Sequence, residues 1–185
     1  MAWDAYKNSL LEELTALIER RSDGADRPSL LQLADSFFSR FPAEDLRQRS
    51  VEDLYGCLYG LLHFMQDWQA PEPKVRIFNP DIQGHGWESK YTVIVILCRD
   101  LPFCTASIRG ELNQRNIRIH SLASCNLEAR RTAQGELEDV LEVGQEAFPD
   151  SSHESLLYFE IGRHSRPDQL GELRDCLRDI LQQVA

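Results

Sequence analysis

The chain has 185 residues, of which 42% are hydrophobic and 27% charged, and its formal net charge is −10 at pH 7. This composition is typical of one ordinary globular domain or two small ones, and it excludes a disordered chain. The negative charge disfavours binding to nucleic acid or an anionic membrane, and no hydrophobic run approaches the ~20 residues of a membrane-spanning helix.

Residues 1–70 are predicted to form a helical segment, because hydrophobic residues recur there at steps of three and four. Its acidic, amphipathic start differs from a signal peptide, so we expect a cytoplasmic protein. Ser29 is predicted to cap the second helix, and Ser50 with Asp53 resembles a capping box for the third. Three such helices are marginal as an independent fold, so we expect them to pack on the rest of the chain or on another subunit. The helical stretches are residues 3–19, 29–41 and 51–65.

Residues 69–74 read QAPEPK and are predicted to be a linker. Two prolines two residues apart exclude a helix and favour an extended chain. The sequence therefore predicts two domains, the helical segment over residues 1–70 and an α+β domain over residues 71–185.

The second part is predicted to alternate strands and helices around one hydrophobic strand. Residues 93–98 form an unbroken run rich in β-branched side chains, typical of a strand buried on both faces. Cys104, Ile108 and Leu112 follow at four-residue spacing, which places them on one helix face. The predicted elements are an edge strand at 75–78, a flexible loop at 84–86, strand 91–98, helix 102–116 with Asn116 as its stop, strand 117–131, a turn at 132–135 with Gly135 at positive φ, strand 136–143, a loop at 145–153, strand 155–161 and helix 167–184.

This order predicts an α+β fold with an antiparallel sheet and helices on one face. Ligands of α/β proteins tend to bind where a strand ends and a helix begins. The segment Asp100–Cys104 lies at such a point, and a carboxylate at a helix N-terminus is favourable. We therefore expect any small-molecule site at this turn.

Several short motifs occur together in the second part: KVRIFNP, GHGW, YTVIVILCRDLPFCTAS, RRTAQGEL and ESLLYFEIGR. In combination they resemble the N-terminal region of the large bacterial NAD-specific glutamate dehydrogenases. The resemblance implies an ACT-like domain, a ferredoxin-like βαββαβ module for regulation and interaction. It departs from the family at Thr132, where aspartate is usual, and at Ala106, where an acidic residue is usual.

The resemblance also implies a function. The chain is expected to be a non-catalytic regulatory and oligomerisation domain of an enzyme that oxidatively deaminates L-glutamate to 2-oxoglutarate and ammonia. NAD is then the cofactor of the parent enzyme, whereas no cofactor is expected in this chain. The expected partners are the remainder of the same enzyme, further copies in a homo-oligomer and an amino-acid effector. The alternative is a free-standing ACT-type module that senses an amino acid.

The resemblance to ACT domains implies a comparison at the first strand–helix turn. Amino-acid-binding ACT domains have an Asp-x-Pro-Gly motif there, in which glycine lets a ligand approach the backbone. Here Asp100, Leu101, Pro102 and Phe103 form the turn, and Cys104 follows. Phe103 takes the place of glycine, and its side chain is expected to fill the pocket. These five residues therefore either pack against another domain or bind an amino-acid effector.

The cysteines and histidines are expected to be structural. The cysteine count is odd, no C-x-x-C pair occurs, and the histidines are scattered, so neither disulfides nor a metal site are predicted. A thiol catalyst built from Cys104 and His120 would need the two side chains together, and core packing of Cys104 is favoured instead. The residues concerned are Cys57, Cys98, Cys104, Cys125 and Cys176, with His85, His120, His153 and His164.

Overall fold

The computed structural model describes residues 2–142 and 150–184, which contain seven helices and five strands. The helices are α1 (Ala2–Arg21), α2 (Asp26–Phe38), α3 (Ala43–Leu46), α4 (Val51–Gln66), α5 (Ile82–His85), α6 (Cys104–Gln114) and α7 (Pro167–Val184). The strands are β1 (Lys74–Phe78), β2 (Thr92–Arg99), β3 (Ile119–Arg131), β4 (Leu137–Glu142) and β5 (Ser152–Ile161). None of the described helices is long and hydrophobic enough to cross a membrane.

The strands form one antiparallel sheet in the order β1-β2-β5-β3-β4. β2 and β5 lie at its centre, with Val95 opposite Tyr158. β1, which precedes β2 in the chain, forms the edge of the sheet beside it. No strand follows α7 in the described residues. This arrangement confirms the predicted α+β class and the predicted edge strand.

The central strand is buried on both faces, as its hydrophobic run predicts. Val93, Val95 and Leu97 belong to one hydrophobic core, whereas Ile94 and Ile96 belong to a second core. Successive side chains of a strand point to opposite faces, so each face of the sheet needs its own hydrophobic cover.

Helices α6 and α7 cover the second core. Ile108 and Leu112 of α6 and Leu173, Leu177 and Leu181 of α7 are all buried there. These positions follow the helical spacing that the sequence predicts. The expectation of two helices on one face of the sheet is confirmed.

The N-terminal helices cover the opposite face of the sheet. Phe37 of α2 is fully buried, and its ring lies edge-on to that of Tyr158 on β5, with 5.4 Å between the ring centroids. Leu14 of α1 and Leu58 of α4 are buried in the same core. These helices were expected to pack either on the rest of the chain or on another subunit, and the structure shows them packed on the rest of the chain. The boundary between domains at residue 70 remains a prediction.

One buried ion pair ties the β3–β4 hairpin to the end of α4. Arg131 Nε and Nη2 donate to the two carboxylate oxygens of Glu154 at 2.7 and 2.8 Å, and Glu154 is fully buried. The Nη1 atom of Arg131 donates to the carbonyl oxygens of Met65 and Gly135 at 2.8 and 2.9 Å. A single guanidinium therefore joins β3, β5, α4 and the hairpin turn.

The hairpin turn forms as predicted, with Gly135 at a φ of +89°. A Cβ at Gly135 would lie 2.5 Å from the carbonyl oxygen of Trp68, so close approach also requires glycine there. The hydroxyl oxygen of Thr132 accepts hydrogen bonds from the N–H groups of Gln134 and Glu136. Threonine thus supplies an acceptor oxygen within the turn at the position where the family usually has aspartate.

Two helix-start predictions have opposite outcomes. The Ser50 cap of α4 is confirmed, because Ser50 Oγ accepts from the Asp53 N–H at 3.0 Å, and the Asp53 carboxylate in turn accepts from the Ser50 hydroxyl at 2.7 Å. The assignment of Ser29 as a cap is wrong, because α2 begins at Asp26 and Ser29 lies buried in its first turn. Proline is tolerated in the first turn of a helix, so Pro28 does not delay its start.

Three boundaries differ from the predicted ones. Residues 84–86 are not simply a loop, because the Asp81 carboxylate accepts from the Gly84 N–H and caps the short helix α5. Helix α6 begins at Cys104, two residues later than predicted, while Asn116 ends its C-terminal turn with a φ of +56°. Strand β5 begins at Ser152, and the predicted loop at 145–153 lies partly outside the described residues.

Truncation of the ring that joins α2 to the sheet tests this packing. Phe37→Ala should lower the free energy of unfolding by about 3–5 kcal/mol, because it removes a fully buried aromatic side chain. Urea denaturation followed by fluorescence and circular dichroism measures this loss. The control is Ile82→Ala, at a side chain that is 57% exposed. A loss for Phe37→Ala as small as that of the control would contradict the packing.

Candidate functional site

The predicted effector turn is held by its aspartate against the neighbouring strands. The Asp100 N–H donates to the carbonyl oxygen of His153 at 3.0 Å. Its carboxylate accepts from Ser155 Oγ at 3.0 Å and from Asn126 Nδ2 at 3.2 Å. Asp100 therefore fixes the end of β2 to β3 and β5. An ammonium group bound at this turn would have to share a carboxylate that already has two donors.

Phe103 is the most unusual residue of the turn. Its φ is +72°, the left-handed region that glycine favours, and its side chain is 76% exposed. The backbone at this position thus has the conformation that the glycine of an Asp-x-Pro-Gly turn favours. The expectation that the ring fills a pocket is wrong, because the ring projects into solvent while Cys104 takes the buried position. Pro102 beside it is also exposed.

The two cysteines beside the turn are packed in the second core. Cys98 and Cys104 are 4% and 3% exposed. Burial, reinforced by the neighbouring Cys104 thiol, raises the pKa of Cys98, so the reactive thiolate is disfavoured at neutral pH. His120 instead stacks on Tyr91, with 4.3 Å between the ring centroids, in a separate polar cleft. The structure does not bring Cys104 and His120 together as a catalytic pair.

The polar cleft lies between the N-terminal helices and one end of the sheet, and its volume is about 590 Å³. Side chains of both charges line it, which is an arrangement that suits a zwitterionic ligand. The lining includes Asp45, Arg49, Lys90, His120, Ser121 and Glu160. Four separate parts of the chain supply these residues, so sequence spacing could not have identified the cleft.

A buried ion pair forms the floor of the cleft. Arg49 Nη2 lies 2.6 Å from Glu160 Oε2, and the Glu160 side chain is 1% exposed. The Tyr158 hydroxyl donates to the other Glu160 oxygen at 2.8 Å. Burial disfavours the charged guanidinium, but Tyr158 and Glu160 outweigh this effect and raise the pKa of Arg49. The carboxylate is thus balanced by one cation and one hydroxyl donor.

Two neutral groups border this ion pair. Burial, together with Cys57 and Glu160, raises the pKa of Tyr158 well above its ordinary value. Burial also raises the pKa of the Cys57 thiol to about 12. Both side chains therefore stay protonated at neutral pH, so neither adds a charge next to the ion pair.

Metal binding finds no support in the described ranges. Residues 2–142 and 150–184 contain no group of three or more histidine, cysteine or acidic side chains placed to hold a metal ion. His85 lies 3.3 Å from the Asp81 carboxylate and stacks on Phe78. It thus has a structural environment of its own.

Comparison with known proteins gives a consistent picture. The family model described as "Glutamate dehydrogenase, ACT1 domain" matches residues 33–177. An NAD-specific glutamate dehydrogenase of Halomonas elongata is 34% identical over 184 residues, which are 100% of this chain and 11% of that protein. An enzyme of the same name from Pseudomonas aeruginosa is 38% identical over 170 residues, which are 92% of this chain and 10% of that protein.

The chain therefore spans about a tenth of the length of these curated relatives. No solved structure gives a significant match to it.

Raising the pH should destabilise the protein through Tyr158. The folded chain keeps its proton, whereas the unfolded chain loses it near the ordinary tyrosine pKa of about 10. The unfolded state then binds fewer protons, so the free energy of unfolding falls with rising pH by up to ~1.4 kcal/mol per unit for one group. Tyr158→Phe should therefore show a shallower fall above about pH 9 in urea denaturation. Cys57 acts in the same direction in both variants, so parallel profiles would contradict this role of Tyr158.

Relieving the backbone at Phe103 should stabilise the chain. Phe103→Gly should raise the free energy of unfolding by about 1 kcal/mol, because glycine avoids the ~1–2 kcal/mol left-handed penalty at a smaller entropic cost. The matched control is Phe103→Ala, which removes the ring but keeps the strained Cβ and should change stability little. Urea denaturation compares the three chains. Equal stability of the glycine and alanine variants would contradict strain at this position.

Proposed function

The chain belongs to the glutamate dehydrogenase ACT1 domain family, and from this premise we propose that it is a regulatory and assembly domain without catalysis of its own. The parent enzyme is then an NAD-dependent oxidoreductase that converts L-glutamate to 2-oxoglutarate and ammonia. The partners are the remainder of that enzyme and further copies of it in a cytoplasmic homo-oligomer. The net charge of −10 supports a role without nucleic acid or membrane binding.

The residues of this chain do not fit NAD. A dinucleotide site needs a glycine-rich turn between a strand and a helix, where backbone N–H groups approach the pyrophosphate. The turn between β2 and α6 instead reads Asp-Leu-Pro-Phe, and the first helical residue is the buried Cys104. We therefore assign cofactor binding and chemistry to the remainder of the enzyme.

The observation that carries the proposal is the exposed ring of Phe103. A large aromatic side chain on a left-handed backbone combines strain with exposed hydrophobic area, and strained residues cluster at functional sites. Aromatic side chains also dominate the binding energy of protein interfaces. The turn of Asp100, Leu101, Pro102, Phe103 and Cys104 is therefore proposed as a docking contact, with Pro102 and Phe103 at its surface.

The free edges of the sheet are less suited to assembly. β4 is an outer strand, but its Glu138 and Asp139 side chains are charged, and Glu138 pairs with Arg130 at 3.2 Å. Charged side chains on an edge strand discourage pairing with another strand. The other edge strand, β1, is packed against α7. These features favour the turn over either edge as the place of contact.

Removal of the Phe103 ring tests the docking contact. Phe103→Ala should weaken self-association of the chain at least about tenfold, because it deletes an aromatic interface anchor. Light scattering over a concentration series measures this change. The control is Ile82→Ala, which deletes another exposed hydrophobic side chain on a different surface. Self-association that is equal in the wild type and Phe103→Ala would contradict the docking role, as would a wild-type chain that stays monomeric and binds no other part of the enzyme.

Amino-acid sensing is the alternative, and thermal melting against the twenty amino acids distinguishes it. A selective rise in melting temperature would support sensing, since a ligand of the folded state stabilises it. Asp100→Asn should abolish that shift if the turn binds the ligand. Lys90→Gln should abolish it if the polar cleft does. The absence of any shift, together with a stable oligomer, would favour assembly.

A further inference from the structure

A second cavity, of about 220 Å³, lies between α4 and β1 on the face of the sheet that the N-terminal helices cover. Its floor is hydrophobic and buried, with Cys57, Trp87, Val95 and Tyr158 all at 3% exposure or less. Its rim is exposed and polar, with His63 of α4 and Arg76 of β1. This pocket is separate from both the Asp100–Cys104 turn and the polar cleft.

Two glycines of α4 build the pocket. A Cβ at Gly56 would lie 2.8 Å from the Cβ of Trp87, so Trp87 packs directly on the helix backbone at that point. One turn later, a Cβ at Gly60 would lie 3.9 Å from Trp87 Nε1, an ordinary contact distance. Gly60 therefore leaves space beside the indole ring instead of closing against it, and this space is part of the cavity.

The volume limits the ligand to a single ring with a short substituent. A cavity of ~150 Å³ lined by hydrophobic side chains binds benzene. The present cavity is larger than that by about the volume that a small polar group occupies. Its aromatic lining of Tyr59, Phe78 and Trp87 suits such a ring, because aromatic side chains pack edge-to-face or offset-stacked against one another.

The charge at the rim selects an anion. The Arg76 guanidinium stacks on the Phe78 ring at 4.4 Å, and within the described residues it makes no hydrogen bond or ion pair. An arginine fork matches a carboxylate with two parallel hydrogen bonds. The Asp81 carboxylate, which caps α5, already accepts from the Gly84 N–H and lies 3.3 Å from His85 Nδ1. Among the described residues this guanidinium thus has an aromatic partner but no anionic one, in a chain of net charge −10.

We propose that this pocket binds a small monocyclic aromatic carboxylate. The ring lies on the floor formed by Trp87 and Val95. The carboxylate accepts hydrogen bonds from Arg76 at the rim, next to His63. This site is independent of the proposed assembly role, because Phe103 does not contribute to it.

Binding is tested on the whole chain with phenylacetate as the probe and phenylacetamide as its uncharged match. Tryptophan fluorescence detects the ligand through Trp87, and calorimetry gives the affinity. We expect saturable phenylacetate binding that is at least about tenfold tighter than that of the amide, since a charge-assisted pair exceeds a neutral hydrogen bond. The absence of saturable binding by either method, or equal affinity for the acid and the amide, would overturn the proposal.

Two substitutions of Gly60 locate the site, and a substitution of Gly110 is their control. Gly60→Leu should abolish binding by filling the cavity, whereas Gly110→Leu, at an open position of α6, should bind as the wild type does. Gly60→Ala is the milder variant, which should weaken binding and is favoured in a helix. Undiminished binding by the Gly60 variants would overturn the location.

A third variant tests the charge at the rim. Arg76→Gln should weaken phenylacetate binding about tenfold and leave phenylacetamide binding unchanged. Arg109→Gln, which removes an exposed arginine on α6, is the matched control and should change neither affinity. Equal losses for the acid and the amide in Arg76→Gln would contradict a carboxylate contact.

Discussion

The structure depends on two neighbouring strands whose hydrophobic side chains occupy both faces. β2 and β5 together place buried side chains in two separate cores. A sheet of this kind is unstable in water unless both faces are covered, because each buried side chain contributes about 1.5–3 kcal/mol by leaving water. Helices α6 and α7 cover one face, and the N-terminal helices cover the other. The family model covers residues 33–177, which include part of α2 as well as the whole sheet.

This constraint directs function to the periphery of the sheet. With both faces covered, ligands and partners can reach the sheet only at its free edges, its strand ends, the turns and the gaps between helices and strands. The turn proposed for docking lies at one strand end, and the polar cleft lies at another end of the sheet. The second cavity exists because α4 packs on Trp87 through glycines rather than larger side chains. All three sites are therefore consequences of how the helices cover the sheet.

Local patterns predicted much of the fold. The hydrophobic run of β2, the four-residue spacing of α6 and the positive φ of Gly135 each depend on a few neighbouring residues, and each is confirmed. The face covered by the N-terminal helices could not be predicted, because it depends on long-range packing such as that of Phe37 on Tyr158. The start of α2 was misplaced because a serine resembles a cap wherever it precedes a hydrophobic run.

The candidate sites were less predictable than the fold. The turn was located from sequence. The exposure of the Phe103 ring was not predicted, because its backbone is left-handed and a residue other than glycine rarely adopts that conformation. The polar cleft combines Arg49 and Glu160, which are more than a hundred residues apart, in one ion pair. The second cavity is likewise lined by residues of α4, β1 and α5. Such sites become visible only when the tertiary arrangement is known.

Native-state hydrogen exchange tests most directly whether the helical layer and the sheet form one unit. If the sheet requires cover on both faces, the slowest amides of α2 and α4 should open with the same free energy as those of β2 and β5, through global unfolding. Exchange that is much faster in α2 and α4 than in a sheet that remains protected would contradict this account. It would show that the sheet is stable without its N-terminal cover.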